Sequence, residues 1–245
     1  MGAHQFVFCV PDDLSDEMVS PVNCATAQVF DDLKRIEVRS GDTVLVQGVG
    51  GLGLYAVAMA REAGAQQIIV LDAHPHRLEI AQRFGADRLL NARTTIAKER
   101  LAQVLEWTDG LGADVACELT GVPATVSEGA TLLCDGERYL WGGNVNRELE
   151  TIFDPSLVVR KSFSVKGFCA YDPSAIFESL RFLSRTKDRY PFPSILSHHF
   201  DFDDINKAFV LADGGEVIRV AIRFPSCVTT HIEPFRPIRN LPYNS

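Results

Sequence analysis

Residues 42–72 constrain this chain more than any other stretch: Asp42 to Asp72 reads DTVLVQGVGGLGLYAVAMAREAGAQQIIVLD. Thr43 to Gln47 is a short apolar run of strand type, and it breaks into Gly48-Val49-Gly50-Gly51-Leu52-Gly53. A helical pattern follows from Leu54 to Ala63, and a second apolar run, Ile68 to Leu71, ends in Asp72. Strand, glycine turn, helix, strand and terminal acid, in that order, form the dinucleotide-binding fingerprint. Gly48 permits the tight turn, Gly50 lets a pyrophosphate approach bare main chain, and Gly53 lets the helix pack close to the strand. Gly51 and Leu52 complete the bend at the helix N-terminus, where free N–H groups and a partial positive charge favour phosphate. Asp72, 19 residues beyond Gly53, can accept both hydroxyls of an adenosine ribose. A carboxylate there repels a 2′-phosphate, so NAD is expected over NADP.

The rest of the composition removes several classes of function. With 46% hydrophobic and 23% charged residues over 245 positions, the chain has the make-up of an ordinary globular protein. A net charge of −8 without a basic block argues against nucleic acid or an acidic membrane surface as partner. No apolar run approaches the roughly 20 residues needed to span a bilayer. The N-terminal residues lack the charged and apolar regions of a signal peptide. Six cysteines, Cys9, Cys24, Cys117, Cys134, Cys169 and Cys227, are scattered without a CxxC, which predicts no disulfide framework and a reducing, cytoplasmic setting.

Along the chain, residues 4–10 alternate as a strand does, and Ser15 is placed to cap a short helix. Residues 21–35 carry Val22, Ala25, Val29 and Leu33 at helical spacing, with Cys24 near the start. Beyond Asp72, helices are predicted over 76–84, 95–107, 123–133, 174–184 and 202–211. Strands are predicted over 88–90, 113–119, 138–141, 164–168 and 217–222. This alternation predicts an α/β fold, a Rossmann-type doubly wound parallel sheet with helices on both faces. Residues 225–245, with four prolines and little periodicity, read as an irregular tail. Residues 198 and 199 are adjacent histidines, which a strand would point to opposite faces, so they read as edge or surface residues.

Asn23-Cys24-Ala25 before a helix, GVGGLG at 48–53, FGAD at 84–87, GADVACELTG at 112–121 and HHFDFDDINKAFVLADGGEVIRVAI at 198–222 together resemble the medium-chain, zinc-dependent alcohol dehydrogenases. The resemblance covers about residues 4–224. Tyr171-Asp172-Pro173 and Arg181-Phe182-Leu183 resemble a less studied zinc-binding dehydrogenase subgroup. In that family the cofactor domain is the C-terminal half of a longer chain, behind a GroES-like catalytic domain. The resemblance therefore implies a remnant of the GroES-like domain over 1–20, an NAD-binding Rossmann domain over 21–224 and a tail over 225–245. It implies hydride transfer between NAD and a small alcohol or carbonyl substrate. Zinc would act as the Lewis acid, with its site completed only by a complementary catalytic domain. A stand-alone NAD(H)-binding module and one subunit of a split enzyme are the alternatives.

Carried over residue by residue, the family pattern assigns Gly48, Gly50 and Gly53 to the phosphates and Asp72 to the ribose. Arg77 matches a basic residue on the adenosine ribose side, and a solvated helix charge is the other reading of it. Arg219 matches an arginine that pairs with the pyrophosphate; a charge inside an apolar strand needs a partner. Thr120 and Trp141, at strand ends, are candidates to line the nicotinamide path, with core packing as the alternative. Cys24 matches one zinc ligand, yet a tetrahedral site needs three protein ligands, so a buried inert thiol is the competing reading. His74 and His76 flank Pro75 just after the ribose acid and read as solvent-exposed residues that could brush the adenine. No Tyr-x-x-x-Lys pair offers another acid–base system: none of Tyr55, Tyr139, Tyr171, Tyr190 and Tyr243 has a lysine four residues on. The resemblance also implies a homo-oligomer, with cofactor domains paired edge to edge around the last strands.

Overall fold

In the computed structural model, residues 7–143 and 148–224 are described. Ser15 caps α1 (Asp16–Val19) as expected, its Oγ accepting from the Met18 N–H at 3.4 Å. A π-helical turn, Val22–Thr26, then leads into α2 (Ala27–Ile36), where one continuous helix was predicted. The fingerprint follows as β1 (Thr43–Gln47), α3 (Gly53–Glu62) and β2 (Gln67–Asp72). Next come α4 (Pro75–Arg83), β3 (Arg88–Asn91), α5 (Ala97–Trp107), β4 (Ala113–Glu118), α6 (Pro123–Leu132) and β5 (Leu133–Trp141). The chain continues through α7 (Ser156–Lys161), β6 (Ser164–Gly167) and α8 (Ser174–Thr186) to β7 (His198–Asp201), α9 (Ile205–Asp213) and β8 (Val220–Arg223).

Six strands form one parallel sheet in the order β3-β2-β1-β4-β5-β6. The order reverses between β1 and β4, which makes their carboxyl ends the crevice where such sheets take ligands. The central strands β1, β2 and β4 are buried on both faces. Val44, Val46, Ile68, Val70, Val115, Cys117 and Leu140 pack into one core with α2, α3 and α8. Leu45, Ile69, Leu71, Ala116 and Tyr139 form the other core. Strands covered on both sides have no polar face, which is why their sequences read as unbroken apolar runs.

Three expectations need correction. Residues 7–10 are not a strand; they have no neighbour to pair with, and Phe8 instead stacks on Phe177 with ring centroids 6.5 Å apart. Residues 4–6 and the tail at 225–245 lie outside the described residues. The last strand does not extend the main sheet: β8 pairs in parallel with β7 as a separate two-stranded sheet. It also begins at Val220 rather than at residue 217. Helix α7 was not anticipated at all. At six residues it is too short for periodicity to show, and three of its residues are aliphatic without a repeat.

Candidate functional site: a cleft at the glycine bend

The site is built where β1 ends. Gly48 adopts φ +87°, a left-handed conformation that L side chains rarely take, and its N–H donates to the Leu71 carbonyl at 2.7 Å. The next N–H, that of Val49, donates to Asp72 Oδ2 at 2.8 Å. The turn is thus stitched to the end of β2 by two bonds, so the fingerprint acid and the glycine bend are fixed relative to each other. A Cβ added at Gly53 would lie 1.9 Å from the Gly48 carbonyl oxygen, which is the close helix–strand approach assigned to that glycine. Leu52 immediately precedes α3 and packs its half-buried side chain on the core.

The bend opens into a cleft of about 500 Å³, lined by Gly48, Gly50, Asp72, His74, Arg77 and Thr120 among others. Arg77 lines it, and Arg219 stands beside the bend at Gly51. Arg77 is half-buried rather than a solvated helix charge, and its Nη2 donates to the carbonyls of Gly215 at 2.5 Å and Val217 at 2.7 Å. Its Nε is buried without a partner. Arg219 lies just ahead of β8 rather than inside a strand, and its Nε stands 3.0 Å from where a Cβ of Gly51 would be. The two guanidiniums put positive charge beside the bend and the first turn of α3.

Thr120 caps a network that the sequence reading missed. Glu118, at the end of β4, is fully buried. Its Oε1 accepts from the Thr120 N–H at 2.7 Å, Thr120 Oγ1 at 2.5 Å, the Gly121 N–H at 3.1 Å and Thr125 Oγ1 at 3.1 Å. The signal was present: an acid in the apolar run ADVACEL must find donors, the same argument that drew attention to Arg219. Trp141 points elsewhere. Its ring packs edge-on against Tyr139 at 5.8 Å and Phe153 at 5.6 Å, with the second core rather than in the cleft lining.

Cys24 is exposed rather than the buried inert thiol that competed with the zinc-ligand reading; the π-turn sends Val22, Ala25 and Thr26 inward. Among the described residues no group of three or more His, Cys, Asp or Glu side chains is placed to hold a metal ion. His198 and His199 are both exposed on β7, and His199 Nε2 faces Glu17 Oε1 at 3.3 Å. His74 departs from the solvent-exposed reading: its ring lies against Asp72, Nδ1 to Oδ1 at 3.2 Å, with its side chain only 17% exposed.

One further acid sits at this end of the sheet. Asp32 of α2 is 1% exposed, and its Oδ2 stands 3.9 Å from where a Cβ of Gly142 would be. Its Oδ1 accepts from Gln28 Nε2 at 2.7 Å. Burial, aided by the neighbouring Asp31 carboxylate, pushes it up to about 6 from 3.8. A raised carboxyl is protonated in the folded chain while the unfolded chain has already lost its proton. This group's contribution to stability therefore falls as pH rises from about 4 to 6, and the penalty is complete above that window. We predict that Asp32→Asn stabilises the fold by about 2 to 3 kcal/mol at pH 7.5 and by much less at pH 4.5. Urea midpoints at the two pH values decide it; an equal shift at both would refute the burial account.

The comparisons agree with this geometry. The profile described as zinc-binding dehydrogenase matches residues 51–185. A 5-exo-hydroxycamphor dehydrogenase of Pseudomonas putida is 30% identical over 218 residues, covering 87% of this chain and 59% of that protein. An L-threonine 3-dehydrogenase of Shewanella halifaxensis is 30% identical over 226 residues, covering 89% and 61%. Among solved structures, an alcohol dehydrogenase from Thermotoga maritima superposes with a TM-score of 0.82 at 30% identity, covering 88% of this chain and 59% of that one. The chain thus spans about three-fifths of the length of the curated relatives it matches. Among the described residues no helix is long and apolar enough to cross a membrane.

Proposed function

Because the chain belongs to the zinc-binding dehydrogenase family, we propose that its cleft seats NAD(H) for hydride transfer between that coenzyme and an alcohol or carbonyl substrate. One observation carries the reading: the glycine bend, Asp72 and Thr120 open together onto one cleft at the sheet's reversal point. The fit is good at the phosphates. A Cβ at Gly50 would meet only Arg77 Nη1, at 3.8 Å, so the main chain there is open to an approaching pyrophosphate. Arg219 beside Gly51 adds a charge-assisted donor, and Arg77 supplies a second cation toward the ribose side. Bound there, the coenzyme supplies a hydride acceptor. The chain's own part is to fix the phosphates and the adenosine ribose so that the nicotinamide is presented in one orientation.

The residues present do not fit a catalytic zinc, since Cys24 has no companion ligands among the described residues. The substrate-side chemistry therefore falls to groups other than the described residues. A coenzyme-binding module, active only with a second polypeptide, is the reading this donor set favours as an alternative. In either case we propose a division near residues 20 and 224, with β7, α9 and β8 counted in the 21–224 unit. Cys9, Cys24, Cys117, Cys134 and Cys169 are all free thiols, which supports a cytoplasmic setting. The edge strand β6 supports self-association by edge pairing.

Gly50→Val tests the reading. A valine there meets open space, so the melting temperature and far-UV signal should stay at wild-type values while NAD affinity drops at least about tenfold. Calorimetric titration giving wild-type affinity in that variant would refute the phosphate assignment.

A further inference from the structure

Asp72 has little left to give a ligand. Its Oδ2 accepts from the Val49 N–H, and its Oδ1 accepts from the His74 N–H at 2.8 Å and faces the His74 ring at 3.2 Å. A carboxylate offers about four acceptor positions, and three are taken by the protein itself. The Asp72 side chain is 5% exposed, and the imidazole beside it, 17% exposed, is the more open of the two. Two of the three donors are main-chain groups that cannot leave. The ring is the one that can.

Arg93 fixes how that ring is protonated. Its Nη2 lies 3.2 Å from His74 Nε2, and a guanidinium can only donate. Nε2 is therefore the acceptor, the proton sits on Nδ1, and Nδ1 donates to Asp72. Arg93 is itself 3.9 Å from Glu216, in the connection that Arg77 ties to the cleft. The result is a relay, Arg93 to His74 to Asp72, along the cleft wall.

We propose that His74 is a gate on coenzyme entry: with one acceptor position left on Asp72, its imidazole occupies the second that the paired hydroxyls of an adenosine ribose need, and must swing off before both can bind. The proposal rests on the coenzyme reading above and adds a residue that works against binding. Removing the ring leaves both main-chain donors on Asp72, so the carboxylate stays in place with a second acceptor position free. His74→Ala thus tightens binding, whereas a ring that merely supported Asp72 would weaken it when lost. Arg93→Ala, which frees the ring, should shift affinity the same way by less.

The test is calorimetric titration of the full chain with NAD, 5′-AMP and 2′,3′-dideoxy-AMP, for wild type, His74→Ala, His74→Gln and Asp72→Ala. We expect His74→Ala to bind NAD and 5′-AMP about three- to tenfold more tightly, the equivalent of one hydrogen bond. The dideoxy nucleotide, which has no hydroxyl to compete, should show no gain. His74→Gln retains a donor of similar reach and should fall between the two. Asp72→Ala should abolish the difference between the nucleotides. Unchanged or weaker NAD binding in His74→Ala, alongside a loss in Asp72→Ala, overturns the gate and leaves the coenzyme reading standing. No binding of NAD by folded wild type or His74→Ala overturns both.

Discussion

Gly53→Ala is expected to cost about 3 to 5 kcal/mol and to abolish NAD binding, because the added methyl has nowhere to go. Its carbon would lie 1.9 Å from the Gly48 carbonyl oxygen and 2.8 Å from the carbonyl carbon. Both atoms are main chain in a turn held by the Leu71 carbonyl and the Asp72 carboxylate, so neither can rotate aside. Relief requires α3 to move away from β1. That helix buries eight of its ten residues, Gly53 and Leu54 through Ala60, so the movement opens the centre of the first core. Urea denaturation gives the stability loss and titration gives the binding loss. Gly50→Val is the internal control, since it blocks the same ligand in open space. If Gly53→Ala instead melts like wild type, helix and strand do not approach as closely as their atoms indicate.

These two glycines also show what could be read from residues alone. The fingerprint was legible because each position answers a local demand: a turn, an approach, a packing contact. Element order and the two-sided sheet were legible for the same reason, since apolar runs and helical spacing are properties of short windows. Cross-chain partners were not. Arg77 and Arg219 were found as charges needing a destination, but the Gly215 and Val217 carbonyls that hold Arg77 lie 138 and 140 residues away. His74 looked like a solvent-exposed neighbour of the ribose acid. Its contact with Asp72 depends on how the chain turns after β2, and its tautomer depends on Arg93, 19 residues on. Cys24 was weighed as an inert buried thiol because it lacked companion ligands, yet it lies off the buried stripe of Val22, Ala25, Val29 and Leu33 and is exposed.

Gly129→Ala is the second large effect we expect, and nothing in the local sequence announces it. Gly129 lies in mid-helix on α6, where alanine would ordinarily gain about 1 kcal/mol in helix propensity. Tertiary packing reverses the sign. Tyr139 on β5 reaches across β4 to Gln47 on β1, and it can do so because its β4 neighbour in register is only Ala116. The hydroxyl donates to Gln47 Oε1 at 2.9 Å, while Gln47 Nε2 donates to the Thr125 carbonyl of α6 at 2.9 Å. Both side chains are fully buried. Helix α6 rests on this pair at Gly129, where an added Cβ would lie 2.0 Å from Tyr139 Oη and 2.3 Å from Gln47 Oε1. Alanine therefore forces either the helix off the sheet or the hydroxyl off its acceptor, leaving buried polar groups unpaired. We expect a loss of about 3 to 5 kcal/mol by urea denaturation. Tyr139→Phe alone should cost about 1 to 2 kcal/mol. Combined with Gly129→Ala it should recover part of the loss, because it removes the nearest of the clashing atoms. The two changes should thus couple favourably in a double-mutant cycle. Strict additivity would mean that α6 does not bear on the tyrosine hydroxyl.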